Sequence, residues 1–289
     1  MDKITAPGEQ RQSFVLSSSL KYAVFGKTTY ETFTLGADYA VGRWYFHLSV
    51  PYVNNSRDRM MVTSDRLNVT GFSDITLMAW YNLTASPKPA IKEDKASVAG
   101  KDETKPKEKK EENKSNNPIF IMLGVGVKLP TGDDSVKDRF GIFPPELQPG
   151  SGTTDKLFGV ALSKKLFTSA TGFASTVYQA TGGGNSINYE KKDRIYWNGG
   201  VTYELSKKNQ LSASLAFSGM HVWEEDRNNG IKVPDTNGDW VYLGPSIGIS
   251  PFENKNINFG LGFDFAIKEQ ADSRYGMDRS ISISAGLGF

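Results

Sequence analysis

Arg279-Ser-Ile-Ser-Ile-Ser-Ala-Gly-Leu-Gly-Phe289 ends the chain with apolar and small polar residues in strict alternation. Successive side chains of an extended strand point to opposite sides. Ile281, Ile283, Ala285, Leu287 and Phe289 therefore share one face, and Ser280, Ser282, Ser284, Gly286 and Gly288 share the other. A soluble sandwich would turn the apolar face to a core. A lipid-embedded barrel turns it outward and lines its interior with the small polar residues.

The same period recurs upstream. Ile257, Phe259, Leu261, Phe263, Phe265 and Ile267 alternate with Asn258, Gly260, Gly262, Asp264, Ala266 and Lys268. Ile119, Ile121, Leu123, Val125, Val127 and Leu129 alternate with a face carrying Gly124, Gly126 and Lys128. Phe14, Leu16, Leu20 and Tyr22 face away from Ser13, Ser17, Ser19 and Lys21. Weaker alternation marks strands near 31–42, 44–53, 72–84, 156–166, 171–180, 194–206, 210–223 and 239–251. Twelve strands result, and single-chain bacterial barrels have an even number.

Turn lengths decide between soluble and membrane barrels, because periplasmic turns are short and extracellular loops long. The connections Val41–Arg43, Leu166–Ala170, Lys207–Asn209 and Phe252–Asn256 are short. The opposite set, 54–71, 131–155, 181–193, 224–238 and 269–278, is longer, with Gly26–Thr29 the exception. Trp44, Tyr45, Tyr52, Trp80, Tyr81, Trp197, Trp223 and Trp240 gather at strand ends, where interfacial girdles sit. The expectation is all-β: one transmembrane antiparallel up-and-down β-barrel over 1–289, about twelve strands, in the bacterial outer membrane with both termini periplasmic.

Composition agrees. No stretch approaches the ~18 consecutive apolar residues of a spanning helix. Mean hydropathy is −0.42, as a barrel allows, since only every second strand residue meets lipid. With 34 basic against 32 acidic residues, nothing points to nucleic acid. The absence of cysteine excludes thiol chemistry, disulfides and Cys-ligated metals. Met1-Asp2-Lys3 is followed by no apolar h-region, so a secretory leader is expected to have been removed.

One short-turn position holds a long insertion, Ser86–Asn117, with nine Lys, seven Asp or Glu and no aromatic residue. Such a segment cannot bury enough apolar surface to fold alone. A disordered periplasmic linker is expected, with a tether for a periplasmic partner as the alternative.

Two runs resemble a known family. His47-Leu-Ser-Val-Pro-Tyr-Val53, Gly71-Phe-Ser-Asp-Ile-Thr-Leu77 and Trp80-Tyr-Asn-Leu83 form the first. Gly124-Val-Gly-Val-Lys-Leu-Pro-Thr-Gly132, Leu147-Gln-Pro-Gly-Ser-Gly152 and Asp155 form the second. Together they resemble the family named "putative MetA-pathway of phenol degradation" over about 44–166; the 86–117 insertion is not part of its pattern. The resemblance implies an outer-membrane channel for small, often hydrophobic or aromatic compounds. Terminal Phe289 likewise resembles the signal read by the outer-membrane barrel assembly machinery.

Alternation turns Lys21, Asp38, His47, Asp74, Lys128, Glu204, Asp264 and Lys268 to the lumen, together with Trp80, Tyr196 and Tyr242. Both signs of charge are expected to set a transverse field inside, selecting small polar or zwitterionic solutes over bulky apolar ones, while the aromatic residues on the same face suit an amphipathic aromatic acid. Loop 131–155, through Phe140 and Phe143, is expected to fold inward as a constriction. His47-x-Ser49 resembles the pair of outer-membrane barrel lipases, but both side chains face the lumen, away from lipid, so no enzyme is expected. Asp235, Asn237 and Asp239 have the spacing of Ca²⁺ ligands without the glycine and glutamate that complete such a loop. No metal or cofactor is expected. The function so read is passive diffusion of small solutes, with a docking barrel or a lipid-modifying enzyme as alternatives.

Overall fold

The computed structural model describes residues 13–25, 28–58, 66–84, 119–206, 210–251, 257–268 and 278–288. The charged insertion at 86–117 and Phe289 lie outside the described residues. Strands β1 (Ser13–Phe25), β2 (Thr28–Val41) and β3 (Trp44–Asp58) open the barrel. Strand β4 runs in two pieces, Arg66–Phe72 and Ile75–Asn82, and is followed by β5 (Ile119–Leu129), β6 (Asp155–Phe167) and β7 (Ala170–Ala180). Strands β8 (Arg194–Ser206), β9 (Leu211–Val222), β10 (Gly238–Ile249), β11 (Ile257–Lys268) and β12 (Arg279–Gly288) complete it. Every strand pairs antiparallel with its chain neighbours, and β1 also pairs with β12 (Lys21 opposite Ser282), which closes the sheet. Closure satisfies the backbone of both edge strands, which hydrocarbon could not hydrate.

Most of the exposed large apolar residues are those that alternation turned outward. Leu16 and Leu20 on β1, Phe33 and Leu35 on β2, Val125 on β5, Phe263 and Phe265 on β11, and Ile281 and Ile283 on β12 all lie open on the outer face. A soluble monomer does not leave so continuous an apolar belt in water. Aromatic clusters bound it. Trp44 lies 4.9 Å from Tyr81 and 6.1 Å from Phe46 at the short-turn end. Toward the loop end Tyr52 meets Phe72 at 5.4 Å and Trp223 meets Tyr178 at 6.1 Å. The rise from Trp44 to Tyr52 along a strand tilted by ~40° is about 20 Å, close to the apolar band of a membrane barrel.

Among the register shifts of the sheet, two bear on the lumen. Tyr52 pairs with Phe72 but Ser49 pairs with Thr76, so β4 carries one extra residue at Ser73-Asp74, opposite Pro51. Proline has no N–H to give a ladder. At this irregular step Pro51 instead accepts from Ser73 N at 2.8 Å. The bulge swaps the parity of β4, so that Phe72 and Leu77 are both exposed while Asp74 is buried. In β10–β11 the register shifts between Val241 and Tyr242, setting Lys268 opposite Val241.

The longer connections fold as well. The loop expected over 54–71 is largely a continuation of the β3–β4 ladder, down to Asp58 opposite Arg66. Gly182–Asn185 is pinned by a Gly184–Glu190 bridge. Tyr189–Glu190 then joins Arg227–Asn228 and Ile231–Lys232 in a small sheet.

The lipid belt generates a direct expectation. Leu35 (51 % exposed) and Ile231 (74 % exposed) look alike by accessibility, but only Leu35 sits in the belt. Leu35→Arg should cost about 2–4 kcal/mol in unfolding from phospholipid vesicles, whereas Ile231→Arg should change stability by less than about 0.5 kcal/mol.

Candidate functional site

Inward residues of adjacent strands stand about 5 Å apart, close enough for ionic side chains to meet along the wall. They do so here. Lys21 Nζ is 3.3 Å from Asp264 Oδ2, which also accepts from Ser280 Oγ at 2.7 Å. Asp38 Oδ1 accepts from Tyr45 Oη at 2.5 Å and lies 2.6 Å from His47 Nδ1. Most predicted lumen charges are thus engaged by neighbours along the wall, rather than facing opposite charges across the bore. Glu204 also falls on the inward face, opposite Ser212.

Lys128 is the most heavily engaged. Its ammonium lies 2.6 Å from Asp155 Oδ2 and 3.3 Å from Asp74 Oδ2, and donates to Ser151 Oγ at 2.7 Å. Asp74, aimed inward by the β4 bulge, accepts from Ser151 N at 2.9 Å, Ser151 Oγ at 2.5 Å and Gly132 N at 3.2 Å. Asp155, fully buried, accepts from Thr153 Oγ1 at 2.9 Å, Gln179 Nε2 at 2.5 Å and Gly182 N at 3.0 Å. Gly132 and Gly150 touch backbone to backbone, and a Cβ on Gly132 would come within 2.6 Å of Gly150 Cα. The run from Lys128 through Gly132 to Ser151 and Asp155 is therefore a latch, joining both ends of loop 131–155 to the wall.

Between its latched ends the loop folds into the barrel. Leu147, wholly buried, packs with Phe143 and Val69 against β4. Asn55 Nδ2 donates to Leu147 O at 3.2 Å, and Arg57 holds Glu146 at 3.0 Å. The loop residues that reach the bore are not the two aromatics expected. Phe143 is buried beneath the loop and Phe140 is 61 % exposed beside Arg139, so neither forms the constriction. Pro145, Glu146 and Gln148 face the bore instead.

The loop occupies the side of β3–β6. On the other side remains a cavity of about 630 Å³, lined by β1, β2 and β7–β10. Tyr30, Val177, Tyr196, Met220 and Tyr242 supply much of its wall, and Lys21, Lys191 and Arg194 reach it. Tyr196 and Tyr242 were expected inside; Tyr30, Lys191 and Arg194 were missed. Arg194 was legible, two residues before Tyr196 on the same face of β8. Lys191 was not, because its loop has no period to read. Trp80 also faces inward but lies flat over Gly124 and Gly159 on β5 and β6, where a Cβ on Gly124 would sit 2.6 Å from its ring.

A further predicted placement fails. Lys268 does not line the lumen: the β11 bulge turns it to Asp239 Oδ2, 2.8 Å away, with His221 Nδ1 2.7 Å from the other oxygen. Of the residues with Ca²⁺-ligand spacing, Asp239 serves that ion pair and Asp235 turns the chain at φ 62°. Among the described residues no cluster of His, Asp or Glu could hold a metal ion. Between these positions Thr236 is buried and donates to Val233 O at 2.8 Å, while Asp226 N donates to Thr236 Oγ1 at 2.7 Å.

The family described as "Putative MetA-pathway of phenol degradation" matches residues 3–276. The COG4313 outer membrane channel from Pseudomonas putida F1 superimposes with a TM-score of 0.68 at 12% identity, over 100% of both chains. The NanC porin aligns at 0.49 and 9% identity, over 94% of this chain and 98% of that one. The Pseudomonas putida toluene transporter TodX aligns at 0.46 and 8%, over 99% and 91% respectively. No curated protein sequence matches. At these identities the likeness is one of fold, an outer-membrane barrel.

The latch is directly testable. Lys128→Met leaves Asp74 and Asp155 buried without their cation, which should cost about 3–5 kcal/mol. Trypsin should then cut at Lys137 or Arg139 in folded barrels many times faster than in wild type, while Lys21→Met should leave that rate unchanged.

Proposed function

The chain belongs to the "Putative MetA-pathway of phenol degradation" family, and from that premise we propose that it is an outer-membrane diffusion channel for small amphipathic or aromatic solutes. The observation that carries this reading is the cavity of about 630 Å³ left between the inward-folded loop and the wall of β7–β10, β1 and β2. That volume falls in the ~300–1,000 Å³ range of small-molecule sites. Its wall mixes tyrosine, methionine and valine with a few cations, which suits a solute carrying both a ring and a polar group. In this reading the short turns and both termini are periplasmic. The 86–117 segment is a periplasmic linker, and Phe289 serves recognition by the assembly machinery.

A docking barrel is the second reading, and one observation favours it. Loop 131–155 is tied down at both ends by a buried ionic latch, which suits a bore that stays closed. An enzyme acting on lipid draws no such support, since His47 is turned inward to Asp38.

Single-channel recording of the full chain in planar bilayers separates the two. Wild type should give small discrete conductance steps in KCl. Replacing Phe143–Gln148 by a Gly-Ser linker should raise them several-fold, because those residues fill the bore. Silence from both proteins would discard the channel and favour docking.

A further inference from the structure

The lumen cations differ in one respect. Lys21 is held by Asp264, Lys128 by Asp74 and Asp155, and Arg57 by Glu146, while Arg194 lies 3.9 Å from Asp226. Lys191 reaches the same cavity, yet among the described residues no carboxylate lies within ion-pair distance of it. Its carbonyl is fixed by Thr181 Oγ1 at 2.7 Å, so the chain presents this side chain from an anchored position.

We propose that the cavity is a binding site for small aromatic carboxylates, in which the Lys191 ammonium takes the carboxylate and Tyr30, Tyr196 and Tyr242 receive the ring. The proposal rests on the channel reading and names its solute class. Three features carry it. An ammonium taken from water without an anion is costly, and an incoming carboxylate removes that cost. Glu146 is the anionic side chain lining the cavity, and it is already held by Arg57, so a carboxylate meets little repulsion there. The rest of the wall offers aromatic and apolar surface to a ring, with Met220 and Val177 beside the tyrosines.

The electrostatic surroundings agree. Burial, then the positive charges of Arg194 and Lys128, pull the Lys191 pKa down to about 8, against the opposite pull of Asp226 and Asp74. The field at Lys191 is therefore net positive. Below pH 8 the ammonium is charged and binds an anion. As pH rises through that value the proton leaves and the affinity falls, although benzoate itself stays ionised.

Benzoate titrated calorimetrically into the full-length barrel in detergent tests this without requiring transport. Wild type should bind benzoate at least tenfold more tightly than benzylamine or benzyl alcohol. Affinity should drop between pH 7 and pH 9.5. Lys191→Gln should lose about tenfold in benzoate affinity, the loss expected for one charge-assisted hydrogen bond, and should lose the pH dependence. Tyr196→Ser should weaken benzoate and leave acetate unchanged. Heat-modifiable gel mobility identifies folded variants. Equal binding of benzylamine and benzoate, or an unaltered benzoate affinity in folded Lys191→Gln barrels, would overturn the proposal. Bilayer conductance reports separately on the parent reading. Conducting barrels without benzoate preference sink the site alone, and silent barrels that bind benzoate sink the channel alone.

Discussion

A backbone amide in hydrocarbon has no water to bond, so each N–H and C=O of a spanning segment needs a partner within the protein. That constraint governs the rest of this molecule. It forces the twelve strands into a sheet without edges, sealed where β1 meets β12. Closure makes one face of every strand an outer face, and the strand period then sorts the residues. The belt from Leu16 to Ile283 and the Ser and Gly interior of β12 follow from it. The proline-opposed bulge in β4 shows the same constraint accommodating an exception. Pro51 cannot donate, and the extra residue opposite it supplies the donor that its carbonyl accepts.

The β4 bulge also connects the fold to the lumen. By shifting parity it buries Asp74, and Asp74 with Asp155 grips Lys128 and the backbone of Gly132 and Ser151. Buried ion pairs add little stability over apolar packing, but they define position well once every lone pair is satisfied. Here they hold a loop of more than twenty residues inside a barrel, so that the cavity has a fixed rather than a statistical shape. The family-like run Lys128 to Asp155 is accordingly architectural. Its residues shape the passage by placing Pro145, Glu146 and Gln148, and they contribute little free charge to the bore.

The outer loops work in the same manner. Asp226, with no exposed surface, accepts from Tyr189 Oη at 2.9 Å and from Lys192 N at 2.8 Å, uniting loops that are remote in sequence. This cross-linking carries Lys191 to the cavity. Charges that sequence reading had set facing one another across the lumen are instead spent along the wall, because neighbouring strands bring inward residues closer than the bore does.

The sequence by itself determined the barrel. Ile281 to Leu287 against Ser280 to Gly286, and the same period in β1, β5 and β11, assign the strands and their outer faces from local order alone. Parity alone also turns Lys21, Asp38, His47, Lys128, Tyr196, Glu204, Tyr242 and Asp264 away from the apolar face, since a facing depends only on local order. Where a bulge shifts parity, local order fails. Lys268 therefore points to Asp239, and the signal, a one-residue register shift against β10, exists only between strands. The strand period is likewise silent about loops. That Phe143 packs under the chain, that Phe140 leaves it, and that Lys191 enters the cavity depend on contacts between residues far apart in the chain. Tertiary structure alone decided those, because Asp74, Asp155 and Asp226 accept hydrogen bonds from backbone N–H groups tens of residues away and so fix chain that has no period of its own.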